Sequence, residues 1–138
     1  MTGRPRLGAL EWCLVGRMSV WRAGLPLLRR TVSLDRLVRS LAATPGRRRD
    51  PAREELIARV GGRLWRSAPG PCLERSLTIY RQLCLAGASP QLAIGVARAE
   101  GAVVAHAWVL LDGKALLETA DPAEEYGVAV VFDERGSR

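Results

Sequence analysis

The apolar residues of this chain change their period once, at Pro90, and that switch limits the folds it can adopt. Before it they recur at helical spacing. Leu34, Leu37, Val38 and Leu41 fall at i, i+3, i+4 and i+7 behind Ser33, a good N-cap, with Asp35 in the first turn. Asp50 followed by Pro51 marks another helix start, and Leu56, Ile57, Val60 and Leu64 form its buried stripe. An earlier helical stretch runs from Leu7 to Trp21, and Pro26 is expected to end it. Ala68, Pro69, Gly70 and Pro71 then break the chain, and a fourth helix is expected from about Cys72 to Leu85 with Gly87 as its stop. Beyond Pro90 the segments Gln91 to Ala97, Val103 to Leu111, Ala115 to Thr119 and Val128 to Phe132 read as strands. Arg98 to Gly101 separates the first two, Asp112-Gly113 is a hairpin signal, and Asp121-Pro122 is a turn. Helices first and antiparallel strands afterwards give an α+β layout.

At 138 residues one compact unit is expected, with a helical N-terminal part over residues 1–66 and the remainder over 67–138. Cys13, Cys72 and Cys84 are odd in number and irregularly spaced, which argues against a disulfide framework and fits a reducing cytoplasm. With no CxxC pair and one histidine, neither a structural zinc site nor another metal or cofactor is expected. The apolar stretch from Leu7 to Leu28 is interrupted by Glu11, Arg17 and Arg22, so it reads neither as a membrane span nor as a secretory signal. Peripheral contact of an amphipathic helix with a membrane stays open. Charge is uneven. Residues 1–66 carry fifteen basic and five acidic side chains, whereas residues 67–138 carry six and nine. The basic part should attract an acidic partner. No aromatic stripe interleaves with the arginines and no nucleic-acid motif is present, so a nucleic-acid-binding module is the weaker reading. Pro45 to Arg49 reads as an exposed basic loop.

Chemistry concentrates on two residues. Cys72 follows Pro71 at a helix start, and His106, the sole histidine, lies on a strand 34 residues later. A thiol near unpaired helical N–H groups, together with an imidazole that can take and return its proton, makes an activated nucleophile. The same helix end can donate N–H groups to an oxyanion. Buried cysteines and strand histidines are commonly structural, and Cys84, on the apolar side of its helix, reads as inert packing.

The context of the pair resembles a known family. Pro71 to Leu77, then Leu83, Gly87, Ile94 to Val96, Ala105 to Val109 and Asp112-Gly113 are similar in order and spacing to the transglutaminase-like leader peptidases of lasso-peptide biosynthesis, over about residues 65–125. The helical N-terminal half suits the stand-alone peptidase subunits of that family. The resemblance implies a transglutaminase-like, papain-like cysteine protease core in which the Cys72 helix packs on an antiparallel sheet bearing His106. It implies that Cys72 attacks the bond joining leader to core in a ribosomally made precursor peptide, with His106 as base and then acid. It also implies partners: a separate small leader-binding protein, and an ATP-dependent lasso cyclase that acts on the released core. Transglutaminase-type acyl transfer, in which an amine replaces water, is the alternative reaction.

The third catalytic member is less sharply marked. The family usually places Asp twelve residues after the histidine, where this chain has Glu118, with Asp121 three residues further on. A three-residue loop Leu111 to Gly113 would set His106 opposite Glu118. A two-residue Asp112-Gly113 turn would set it opposite Thr119, with Asp121 as the diagonal neighbour. Alignment with the family favours Glu118. Trp108 shares a strand face with His106 and could wall a peptide cleft or simply pack in the core. Arg75 and Ser76 could brace the site.

Overall fold

A computed structural model describes residues 8–42, 48–67 and 71–138. Four helices come first: α1 (Ala9–Thr31), α2 (Leu34–Leu41), α3 (Pro51–Ser67) and α4 (Cys72–Leu85). Strands β1 (Gln91–Ala99), β2 (Ala102–Leu111), β3 (Lys114–Ala115) and β4 (Gly127–Phe132) form one antiparallel sheet in the order β3-β2-β1-β4. The expected α+β class is the observed one. The Ala68 to Gly70 break, the start of the first helical stretch at Leu7 and most of the basic loop lie outside the described residues.

The molecule is organised around α4. Nine of its residues are buried, Leu77, Tyr80 and Leu83 completely. Its buried positions, polar ones included, fall on more than one face, as in a helix that runs through an interior. Here one cluster joins it to Leu14, Met18 and Leu25 of α1, to Leu37, Val38 and Leu41 of α2, to Ile57, Val60 and Trp65 of α3, and to Leu92, Val109 and Phe132 of the sheet. Truncating any of the fully buried leucines to Ala should cost about 2–5 kcal/mol. Among the polar groups on α4, Thr78 donates to the Glu74 carbonyl at 2.8 Å and the Tyr80 hydroxyl to the Asp133 carbonyl at 2.6 Å, while the buried Gln82 amide has no hydrogen-bond partner. Gly87, at φ 76°, stops the helix as expected, with its N–H on the Cys84 carbonyl at 3.0 Å.

Three expectations are corrected. Pro26 does not end α1, which continues to Thr31. An internal proline costs about 3 kcal/mol, but tertiary anchors flank it: Leu25 is fully buried, and Arg29 pairs with Glu74 of α4. The first two strands are longer than predicted and meet at Ala99 and Ala102, because Glu100 and Gly101 both take positive φ and form a tight two-residue turn. The third strand is shorter, Lys114–Ala115 rather than Ala115 to Thr119, for a reason that lies in the candidate site.

Candidate active site

The site is built where β3 stops. Lys114 pairs with Leu111 and Ala115 with Leu110, and the Leu116 N–H still reaches the Val109 carbonyl at 2.9 Å. Leu117 then turns to φ 60° and leaves the ladder. The next β2 carbonyl on that edge belongs to Ala107, since alternate residues of a strand direct their backbone groups to the same side. A buried carbonyl must be paired, and the Ser76 hydroxyl of α4 donates to it at 2.9 Å. The start of α4 thus takes the place that a longer β3 would have held.

This arrangement brings the first turn of the helix to the strand that carries the histidine. Cys72 stands four residues before Ser76, so the two share a helix face. Its thiol is free and half-buried, and Pro71 supplies no side-chain cap to the helix start. Arg29 from the far end of α1 pairs with the buried Glu74, bracing the same turn from the opposite direction. Arg75 pairs with Oε1 of Glu118, and the same oxygen lies 3.1 Å from His106 Nε2. One carboxylate oxygen therefore joins the Cys72 helix to the imidazole. Cys72 and His106 are not hydrogen-bonded to each other. Their elements are joined through Ser76–Ala107 and through Arg75–Glu118–His106. With Nε2 facing Glu118, Nδ1 is the ring nitrogen left to exchange a proton with a thiol.

Glu118 reaches His106 by an unexpected route. The Asp112-Gly113 turn is the two-residue type, with φ 52° and 76°, which by register alone would have set His106 opposite Thr119. The left-handed Leu117 breaks that register and delivers Glu118 instead. Asp121 is exposed and accepts the Ala123 N–H at 3.0 Å, capping a short 3-10 turn over Pro122–Glu124. It makes no hydrogen bond to His106, and its carboxylate is occupied by this cap. Asp112 is exposed in the turn, bound by Arg49 Nη2 at 2.6 Å.

Arg49 is exposed, as expected of the basic loop, and it also carries ion pairs. It bridges Glu54 of α3 and Asp112 of the β2–β3 turn, with 3.0 Å from Nη2 to Glu54 Oε2. The hydrogen bonds it donates to Glu54, then to Asp112, raise its pKa further above the ordinary arginine range, and the bond to Asp112 holds that carboxyl below the usual value. Arg49 thereby ties the start of α3 to the hairpin that leads into the site.

Two rings flank the imidazole. Trp108 stacks at 5.9 Å between centroids, and Tyr126 at 5.1 Å. Trp108 is fully buried, which fits core packing against the imidazole rather than the wall of an open cleft; Tyr126 was not anticipated, because a lone tyrosine before β4 carries no local signal. Gly95 makes room for both. It is the cross-strand partner of His106. A Cβ there would lie 2.8 Å from Tyr126 Cβ, 3.0 Å from the Trp108 ring and 3.1 Å from the Gly127 carbonyl oxygen. A bulge in the β1–β4 pairing at Ile94/Gly95 re-aims the chain at the same point. Among the described residues no group of three or more His, Cys, Asp or Glu could hold a metal, and no helix is long and apolar enough to cross a membrane.

Compared with known proteins, residues 19–131 match a family model described as the transglutaminase-like superfamily. No curated protein and no solved structure matches the chain. That match covers most of α1, all the later helices and nearly all of the sheet, including Cys72, His106 and Glu118. The chain belongs to the transglutaminase-like superfamily, whose members are typically cysteine peptidases or acyl transferases.

Proposed function

We propose that this chain is a cysteine peptidase that removes the leader from a ribosomally made lasso-peptide precursor. The observation that supports it most is the shared Glu118 oxygen, which links Arg75 of the Cys72 helix to His106. Glu118 orients the imidazole through Nε2, and Nδ1 takes the Cys72 proton. The sulfur attacks the carbonyl carbon of the last leader residue, and N–H groups at the start of α4 stabilise the oxyanion. His106 gives its proton to the departing core amine as the C–N bond breaks, leaving a leader thioester on Cys72. Water, deprotonated by His106, attacks the thioester. The leader leaves with a free carboxyl and the thiol is restored. The released amine is the group that an ATP-dependent cyclase would join to a side-chain carboxyl, and a separate leader-binding protein would present the precursor.

The test is processing of a lasso precursor in the presence of its leader-binding protein, read by mass spectrometry. Wild type should release leader and core. Cys72→Ala should lower the rate by more than about 10³-fold and His106→Ala nearly as much, because the two act as a unit. Cys84→Ala should retain most activity. Unchanged processing by Cys72→Ala would refute the proposal. A product joined to an added amine instead of a free leader acid would establish acyl transfer.

A further inference from the structure

Two consecutive glycines, Gly61 and Gly62, lie inside α3. Glycine weakens a helix interior relative to alanine, so a pair of them needs a reason. A Cβ at Gly61 would lie 3.2 Å from Leu117 Cδ1, closer than ordinary contact, and 3.6 Å from Ile79 Cγ1 and Cδ1 of α4, which is ordinary. A Cβ at Gly62 would lie 3.4 Å from Leu117 Cδ2. One leucine therefore sits across both glycines, a methyl against each. The glycines of α1 behave differently: a Cβ at Gly16 or Gly24 would meet nothing within 4 Å.

The leucine that fills this notch is itself held in an unfavourable conformation. At φ 60°, Leu117 occupies the left-handed region that side chains with a Cβ avoid. Such a conformation persists only where the surroundings over-determine it. Strand pairing does not supply the constraint, because the β2–β3 ladder ends at Leu110↔Ala115 and its last bond is from the Leu116 N–H to the Val109 carbonyl. The Arg49–Asp112 pair also ties the hairpin to α3, but it is exposed and contributes little. Leu117 packs against the core cluster with its methyls over the bare backbone of α3.

The residue that follows is Glu118, whose Oε1 pairs with Arg75 and lies 3.1 Å from His106 Nε2. A glutamate has several rotatable side-chain bonds, so its carboxylate stays on one ring nitrogen only if both of its ends are fixed. Arg75 fixes the carboxylate end. Leu117, seated on α3, fixes the backbone end.

We infer that Gly61 and Gly62 form a notch that seats Leu117 and thereby holds Glu118 on His106, which makes Leu117 and Gly61 positioning residues of the active site. This rests on the peptidase reading, in which Glu118 orients the imidazole. It gives α3, which brings no side chain to the reacting atoms, a part in the chemistry: it is the template against which the abandoned β3 edge is set.

The test is the rate of Cys72 alkylation by iodoacetamide in the full chain near neutral pH, read by mass spectrometry. Denaturant midpoints are measured alongside, and circular dichroism confirms that each variant is folded. Gly24→Ala and Gly61→Ala both replace a helical glycine, and both should keep or raise the midpoint. Gly24→Ala should leave the Cys72 rate unchanged. Gly61→Ala, which pushes on Leu117, should lower it about threefold or more. Leu117→Gly accepts positive φ without strain but empties the notch, and should lower the rate about tenfold or more. Leu117→Met refills the notch at similar volume and should recover most of the wild-type rate. Glu118→Gln should itself lower the rate about tenfold or more, and in that background Leu117→Gly should cost less than about twofold further, because the two changes remove the same contact with His106. A Cys72 rate unaltered by Leu117→Gly would overturn the inference. So would losses from Leu117→Gly and Glu118→Gln that multiply in full, since the notch would then act elsewhere. A wild-type Cys72 no faster than the exposed Cys13 would refute the peptidase reading itself, whereas a fast Cys72 indifferent to the notch variants counts against the notch alone.

Discussion

The two hairpins of the sheet turn alike and end differently. Glu100-Gly101 and Asp112-Gly113 both place consecutive residues at positive φ, 50° and 81° in the first, 52° and 76° in the second. That geometry suits the twist of antiparallel strands. The first turn starts a ladder that runs from Ala99↔Ala102 to Gln91↔Leu110. The second supports Leu111↔Lys114 and Leu110↔Ala115, and then Leu117 departs at φ 60°. Turn chemistry begins a hairpin without setting its length. In the second hairpin α4 competes for the strand edge, and Ser76 supplies the hydrogen bond that a longer β3 would have made. The residues proposed for catalysis gather where that ladder is abandoned.

Variants can break this contrast, and the largest effect should come from the residue delivered by the early departure. Glu118→Gln should lower precursor processing by about 10²-fold or more, yet less than Cys72→Ala does. Asp121→Asn keeps an oxygen that can accept the Ala123 N–H and cap the 3-10 turn, so stability should change by less than about 0.5 kcal/mol, with processing near wild type. A greater processing loss for Asp121→Asn would reverse the assignment.

Gly95→Val attacks the long ladder at the partner of His106. The added side chain would collide with Tyr126, Trp108 and backbone, and should cost about 2–3 kcal/mol by denaturant unfolding. Ser76→Ala attacks the short one. It leaves the Ala107 carbonyl unpaired at a buried position, for a loss of about 1–3 kcal/mol. Ser76→Thr, which keeps the hydroxyl, should recover part of that loss.

Asp112→Asn should have the smallest effect, because the Arg49 pair it removes is exposed and screened by salt. Its pH dependence has a definite sign. The carboxyl pKa is lowered in the folded state, so its contribution is fully present above the unfolded value and is lost as pH falls through the folded one. Wild type and variant should therefore differ most near neutral pH and converge in acid, as thermal melts across pH would show.

Much of the fold could be read in the chain because periodicity and punctuation reinforced each other. The Leu34 to Leu41 stripe, Asp50-Pro51 and Gly87 each mark a boundary by local chemistry, and each boundary lies where the sequence places it. Pro26 misled because its local penalty is overridden by distant anchors, Leu25 in the core and Arg29 on Glu74. The register argument failed because nothing local announces a leucine at positive φ; Leu117 takes that conformation beside Gly61 and Gly62 of α3. Tyr126 was hidden for a similar reason, since its approach to His106 depends on the absence of a side chain at Gly95, on another strand. Cys72 and His106 stood out because thiols and imidazoles are scarce in this sequence, and Glu118 because the family resemblance places an acid twelve residues after the histidine. Their spatial relation was not written in their spacing.

The central claim is that the Cys72 thiol and the His106 imidazole work as a unit at the free edge of β2. The direct test needs no substrate: alkylation of the chain by iodoacetamide near neutral pH, timed by mass spectrometry with each cysteine resolved, in wild type and in His106→Ala. The account predicts that Cys72 reacts at least tenfold faster than the exposed Cys13 and loses at least tenfold of that rate when His106 is removed. Equal rates at Cys72 and Cys13, unaltered by His106→Ala, would contradict it.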